Sequence, residues 1–211
     1  KPKKMKAARY YKYGTPSEII IETVDKPQVE AGQVLVRVKA ASINSWDWDM
    51  LTGKPLLYRL LFGLLKPKYK TKGGDISGIV EALGDGVSNL TVGDEVFGDI
   101  TESWGGFAEY VCVPSKSVQL KPVKLSFTEA AALPHTSGLA IQSLFDYRPL
   151  RSGDNILING AGGGVGTLAL QVLKEYDATV TCVDSANKLE TLRTLGADHV
   201  IDYTKEDFTT N

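Results

Sequence analysis

The sequence predicts an α/β protein: an N-terminal β-barrel followed by a doubly wound parallel sheet of which the chain holds the first half. Three observations carry this. Up to Lys121 the apolar residues fall in short β-type runs punctuated by Gly and Pro, with weak helical periodicity. From Ser126 onward helical and strand-like segments alternate. Between two of those segments, residues 155–166 (NILINGAGGGVG) join an apolar run directly to a glycine-rich turn. Residues 1–122 are therefore expected to form the barrel and 123–211 the parallel sheet.

In chain order, the barrel strands are expected at 5–11, 19–23, 33–42, 76–83, 94–98 and 108–113, separated by turn signals such as Gly84-Asp85-Gly86 and Gly93-Asp94. The run 56–65 (LLYRLLFGLL) is too short to span a bilayer and carries Arg59, so it predicts a short packed helix. Ser126 and Glu129 make a capping-box pattern that opens an Ala-rich helix. Pro134 interrupts it, and a second helix is expected over 136–147. A strand at 155–159, buried on both faces, then leads through the glycines into a helix ending near Tyr176. A second strand (178–183), a helix with Ser185 as N-cap and Gly196 as stop, and a third strand (199–201) complete one mononucleotide-binding half; 204–207 open what reads as another helix. Such folds have two halves, so the chain is expected to be a fragment of a longer protein.

Composition excludes several classes. With 43% hydrophobic and 23% charged residues the chain is ordinary globular protein, and a formal charge of −1 gives no basic footprint for nucleic acid. Cys112 and Cys182 each sit inside apolar runs and read as small buried side chains, which suits a reducing compartment. No secretory leader is visible ahead of Met5, and no run is long enough for a membrane span, so the cytoplasm is the expected location.

The chemistry lies in the glycine turn. Ala161, Gly162, Gly163, Gly164, Val165 and Gly166 spell A-x-G-x-x-G, one residue away from the dinucleotide fingerprint. Gly163 lets the backbone approach a pyrophosphate, Gly166 lets helix pack on strand, and the helix N-terminus offers N–H groups and a positive dipole end. Asp184 follows Gly166 by 18 residues, near the offset of about twenty at which an acid accepts from a ribose hydroxyl.

Six blocks in order, AASINSWDWDMLTG, GGDISGIVEALGDGVSNLTVGDEVFG, GGFAEYV, EAAALPHTSGLA, NGAGGGVG and LGADHVIDY, resemble the zinc-free, zeta-crystallin-like quinone oxidoreductases of the medium-chain dehydrogenase/reductase superfamily. The resemblance implies a GroES-like barrel, a Rossmann domain, a nicotinamide cofactor in the cleft between them and a homodimer at full length. Zinc-dependent members place Cys, His and Cys at positions matched here to Asn44, Gly74 and Leu133, and Gly and Leu offer zinc no donor. No metal site is expected. Without a Lewis acid the fitting acceptor is a quinone or enone, whose conjugation already lowers the barrier to hydride. The protein would then orient the reactants and hydrogen-bond the oxygen where charge develops.

On this resemblance Asn44 is the amide near nicotinamide and substrate oxygen; as large aromatic side chains, Trp46, Trp48 and Tyr58 are read as walls of an apolar pocket for a flat ring. Thr136 is the candidate for the nicotinamide carboxamide, while His135 is read as structural, with proton donation left to solvent. Asp184 argues for NAD(H), because a carboxylate repels a 2′-phosphate. Ser185 and Lys188 can grip that phosphate, and Tyr203 matches a family tyrosine near the adenosine ribose, so NADP(H) is favoured. The expected function is hydride transfer from NADPH to a quinone or other conjugated carbonyl. The alternatives are a non-catalytic NAD(P)H-binding sensor or crystallin-like protein, and a zinc-independent alcohol dehydrogenase.

Overall fold

A computed structural model describes residues 3–209. Two compact units divide at His135/Thr136, later than the 122/123 boundary expected from the change of texture. The difference lies in the helix α3 (Phe127–Ala131): its Phe127 carbonyl accepts from Ser77 Oγ at 2.5 Å, which ties it to the first unit.

In that unit five strands, β3 (Gln33–Ser42), β4 (Asp75–Leu83), β5 (Glu95–Asp99), β6 (Tyr110–Pro114) and β7 (Gln119–Leu120), form an antiparallel sheet of order β6-β3-β4-β5-β7. A ribbon of β1 (Lys4–Arg9) and β2 (Ile20–Asp25) joins the rest through the bridge Ala7↔Ala108 and the bond from Ala8 N–H to Phe107 O. Register shifts at Leu35/Val36 and Val38/Ala40 mark bulges in β3, which bend such a sheet. The sheet and the residue after β5 bury Val34, Val36, Ile76, Val80, Val96, Ile100, Val111 and Val113 in one core. Two short helices follow β3: α1 (Ser45–Thr52), stopped by Gly53 at φ +64°, and α2 (Leu57–Phe62). The latter is not the packed helix the run 56–65 suggested, because Leu56, Leu57, Leu60, Leu61, Leu64 and Leu65 are all exposed.

The capping box before α3 is present: Ser126 N–H donates to Glu129 Oε2 at 2.8 Å and Glu129 N–H to Ser126 Oγ at 3.2 Å. The helix α4 (Pro134–Phe145) starts at its proline, which suits a first helical turn.

In the second unit β8 (Asp154–Asn159), β9 (Ala178–Asp184) and β10 (His199–Asp202) are parallel, in the order β10-β9-β8, joined by α5 (Gly164–Leu173) and α6 (Ala186–Leu195). This 3-2-1 order is that of one half of a doubly wound sheet. Leu170, Leu173, Val180, Cys182 and Leu192 form its core. β8 was expected to bury both faces, yet Leu157 is half exposed, since α5 covers one face only. Residues 204–207, expected to begin a helix, form a turn closed by Thr204 Oγ1 donating to Asp202 Oδ1 at 2.7 Å.

Candidate active site and dinucleotide-binding turn

In the first unit the ladder itself assembles a polar row. Ser42 pairs with Asp75 across β3/β4, and Asp75 with Asp99 across β4/β5. Asn44, in extended conformation just before α1, donates Nδ2–H to Asp75 Oδ2 at 3.0 Å and to Ser42 Oγ at 3.3 Å. His135 N–H donates to Asp75 Oδ1 at 3.0 Å, and His135 Nδ1–H to Asp99 Oδ2 at 2.7 Å. Burial pushes Asp75 up to about 6; the Asn44 bond opposes the rise and the charge of Asp99 adds to it. Asp99 is also desolvated, but bonds from Thr101 and His135 hold it below the usual carboxylate range.

This geometry fixes two roles. Both amide hydrogens of Asn44 are committed, to Asp75 and Ser42, and its side chain also takes part with Asp47 in the capping box that opens α1. His135, with Nδ1 held by Asp99, has its Nε2 buried and without a partner. Trp46 stands edge-on to His135 and stacks on Tyr58, with ring centroids 6.0 Å apart in each pair. The structure thus puts Asn44 and His135 on one carboxylate, Asp75, and Trp46 against both His135 and Tyr58, whereas Trp48 lines a separate cavity with Tyr10 and Leu51; His135, expected to be structural, stands at the centre of this group. Asp75 and Asp99 were not singled out from sequence at all; their common signal is an acid at the edge of an apolar run (GGDIS, FGDI).

In the second unit the turn after β8 is built by glycines with separate reasons. Gly160 has φ +74°, which starts the turn. A Cβ on Gly166 would lie 2.6 Å from the Ala161 Cα and carbonyl oxygen, so this glycine sets the approach of α5 to β8. One on Gly162 would meet Lys188 Cδ at 2.4 Å and Asp184 Oδ2 at 2.9 Å, and one on Gly164 would meet the Thr136 methyl at 3.0 Å. Gly163, the N-cap of α5, differs: only the Gly160 oxygen lies nearby, at 3.3 Å. Val165 belongs to the first turn of α5.

Asp184 is buried at the end of β9. Its Oδ2 accepts from Gly162 N–H at 2.8 Å, and its Oδ1 from Ser185 N–H at 2.7 Å, with Lys188 Nζ at 3.3 Å. Though desolvated, it is held below the usual carboxylate range by these bonds. The carboxylate braces the glycine turn from behind. Ser185 occupies the N-cap position of α6, but its Oγ donates to Asn187 Oδ1 at 2.7 Å and approaches Asp184, leaving the helix N–H groups uncapped by it. Tyr203 is exposed beside Asn159, lining an open groove with Thr204 and Lys205.

The alcohol dehydrogenase GroES-like domain family matches residues 30–123, and the zinc-binding dehydrogenase family matches residues 164–211. The 2-methylene-furan-3-one reductase of Solanum lycopersicum is 39% identical over 217 residues, covering 98% of this chain and 54% of the relative. The chloroplastic NADPH-dependent alkenal/one oxidoreductase of Arabidopsis thaliana is 36% identical over 216 residues with the same coverage. The solved quinone oxidoreductase of Coxiella burnetii superposes with a TM-score of 0.88 at 34% identity, covering 99% of this chain and 65% of that one. The chain belongs to the quinone oxidoreductase-like group of the medium-chain dehydrogenase/reductase superfamily. It spans about half the length of the curated relatives it matches.

The glycine turn fits a dinucleotide: the first N–H groups of a helix lack intrahelical acceptors, and the space before Gly163 is open. Of the three positions that the resemblance matches to zinc ligands, Asn44 is turned onto Asp75 and Gly74 has no side chain. Among the described residues no three His, Cys, Asp or Glu side chains are grouped to hold a metal, and no helix is long and apolar enough to cross a membrane. Burial raises both Cys112 and Cys182 to about 11, as expected of unreactive packed thiols.

Proposed function

We propose that the protein to which this chain belongs reduces quinones or enones with NADPH, without zinc, and that His135 is the proton donor. The observation that carries the reading is the Asp99–His135 pair, which leaves a buried, unpartnered Nε2 beside the Trp46 ring. A buried polar atom without a partner is uncommon and points to a group that meets one in the working complex. Conjugate reduction needs an acceptor held flat, a hydride and a proton. Trp46 and Tyr58 offer the flat wall, and the nicotinamide supplies the hydride when bound. His135, oriented by Asp99 through Nδ1, delivers a proton from Nε2 to the developing enolate or hydroquinone oxygen. Asn44 holds Asp75, the carboxylate that also accepts from His135 N–H, and so positions the row behind the histidine.

Gly162, Gly163, Gly164, Val165 and Gly166 would hold the pyrophosphate, Thr136 the carboxamide, and Ser185, Lys188 and Tyr203 the adenosine end. Engagement of Asp184 with the turn supports NADP(H), since a carboxylate already paired with Lys188 repels a 2′-phosphate less. The names of the tomato and Arabidopsis relatives support the enone class and, for the latter, NADPH. A homodimer in the cytoplasm is part of the same proposal.

The experiment is cofactor oxidation by the full-length protein over a panel of quinones, enones and simple alcohols, with elemental analysis. Turnover of conjugated acceptors without stoichiometric metal is expected, and His135→Gln should cut kcat at least about tenfold while cofactor affinity holds. Zinc lost together with activity on chelation would overturn the metal-free reading. Cofactor binding with no turnover of any acceptor would overturn the enzyme.

A further inference from the structure

The leucines at 56–65 are exposed for a structural reason. The helix α2 sets two faces: Tyr58 and Phe62, four residues apart, share one, and Leu57, Leu60 and Leu61 share another at spacings of three and four. The aromatic face is filled. Tyr58 stacks on Trp46 and stands edge-on to Phe62 at 6.4 Å between centroids, and Phe62 in turn meets Tyr69 at 6.4 Å. The helix is also tied down at both ends. Arg59 Nε–H donates to Gly53 O at 3.1 Å, its guanidinium lies 4.5 Å over the Tyr13 ring, and Tyr13 O–H donates to Gly63 O at 2.5 Å. With the inward face occupied by rings, the leucines turn outward. Together with Leu56, Leu64 and Leu65 they are exposed from 62% at Leu64 to 85% at Leu65.

The charge around them is one-sided. The whole chain carries 25 acids in 211 residues, yet none lies between Asp49 and Asp75, a stretch that holds Lys54, Arg59, Lys66, Lys68, Lys70 and Lys72. Of these, Lys54, Lys66, Lys68 and Lys70 are exposed. A grouped set of exposed leucines marks a surface that something covers. Protein interfaces favour aromatic rings, Met and Arg and are poor in Lys, whereas here the rings are turned inward and the face shows Leu and Lys. That pairing suits a bilayer, whose acyl boundary takes up leucines while anionic headgroups attract the lysines beside them.

We propose that residues 54–70 form a docking surface for a membrane bearing anionic lipid, with the leucines entering the boundary between headgroups and acyl chains and Lys54, Lys66, Lys68 and Lys70 meeting the lipid phosphates. The contact is peripheral, because α2 is six residues long and far too short to span a bilayer. None of these leucines and lysines belongs to the His135 site or to the glycine turn, so the surface stands or falls independently of the reductase reading.

The test is flotation of the full-length protein with vesicles of phosphatidylcholine alone and of phosphatidylcholine with about one-third phosphatidylserine. Binding is expected to the second only, and to weaken as salt is raised. Replacing Lys66, Lys68 and Lys70 together by Gln should weaken it about a hundredfold, at about fivefold for each lysine. Leu60→Ser combined with Leu61→Ser should weaken it at least about tenfold. Both variants change exposed side chains, so circular dichroism and thermal melting should match wild type. Hydrogen exchange of the wild-type protein reads the same contact without any substitution: anionic vesicles should protect residues 54–70. No binding to anionic vesicles, whether or not a protein partner takes the leucines, would overturn the proposal, as would binding that both sets of substitutions leave unchanged. Residues 56–65 already protected in the vesicle-free protein would overturn it too, since the rest of the chain or a second copy would then cover the leucines.

Discussion

Replacing Gly166 by Ala tests the nucleotide turn at the point where two effects oppose each other. In a helix interior Ala is favoured over Gly by about 1 kcal/mol. Here the new methyl would stand 2.6 Å from the Ala161 Cα and oxygen and 2.8 Å from its carbonyl carbon, all backbone atoms that cannot rotate away. Overpacking of this kind costs about 1–3 kcal/mol, toward the upper end when the obstacle is rigid. The clash wins, and a net loss of about 1–2 kcal/mol is expected, seen as a Tm lower by several degrees. Relief to ordinary contact at 3.4 Å requires α5 to move by about 0.8 Å, the difference between 3.4 and 2.6 Å. That shift withdraws the N–H groups of its first turn, and NADPH affinity should fall about ten- to a hundredfold, the size of a lost charge-assisted contact.

The control is Gly163→Ala. Its φ of −85° suits any residue, and only the Gly160 oxygen lies within 4 Å, at 3.3 Å. Stability should change by less than about 1 kcal/mol, the usual scale for an N-cap substitution. Binding should nevertheless drop, because the methyl occupies the space before the amides. Thermal unfolding followed by circular dichroism and fluorescence titration with NADPH on the full-length protein separate the two. If Gly166→Ala melts and binds as wild type, or if Gly163→Ala leaves affinity untouched, the assignment of this turn to the pyrophosphate is wrong.

Two further outcomes follow. Lys188→Ala should weaken NADPH about tenfold or more with NADH unchanged; equal losses for both would remove Lys188 from the 2′-phosphate. For Asp75, the folded-state value of about 6 lies above the unfolded value. The native state therefore binds the extra proton between about pH 4 and 6, and wild-type stability falls as pH rises through that window, by at most about 3 kcal/mol. Asp75→Asn should flatten this slope in denaturant titrations at pH 4 and 7, and an unchanged slope would show that Asp75 does not carry the buried proton.

The sheet halves were legible because their signals are local. Period-2 apolar runs with glycine turns gave the six expected barrel strands, and Ser185 and Gly196 bounded α6 to the residue. β7 went unseen because two residues, Gln119 and Leu120, carry no pattern. The leucines at 56–65 misled because apolar content predicts burial only where something covers the face. In the candidate site, Asn44 came through the resemblance, and Trp46 and Tyr58 through being large aromatics near it in sequence. Asp99 and the role of His135 depend on strand register and a contact 36 residues apart, which no window of sequence contains.

The buried aspartates show why an acid at the right offset is an ambiguous sign. Asp47, Asp75 and Asp184 each accept a backbone N–H from a residue distant in sequence: Gly73, His135 and Gly162. A carboxylate has two oxygens and about four lone-pair directions, so it can close a turn whose amides have no other acceptor. The fingerprint logic treats Asp184 as an outward acceptor for ribose. With Oδ2 on Gly162 and Oδ1 on Ser185 and Lys188, it instead joins the glycine turn to the start of α6. Its charge still matters, because it holds the Lys188 ammonium at the mouth of that turn. On the proposed reading a 2′-phosphate arriving there would compete with Asp184 for one cation, and the choice between NADPH and NADH would turn on how readily Lys188 exchanges partners, not on whether the acid is present.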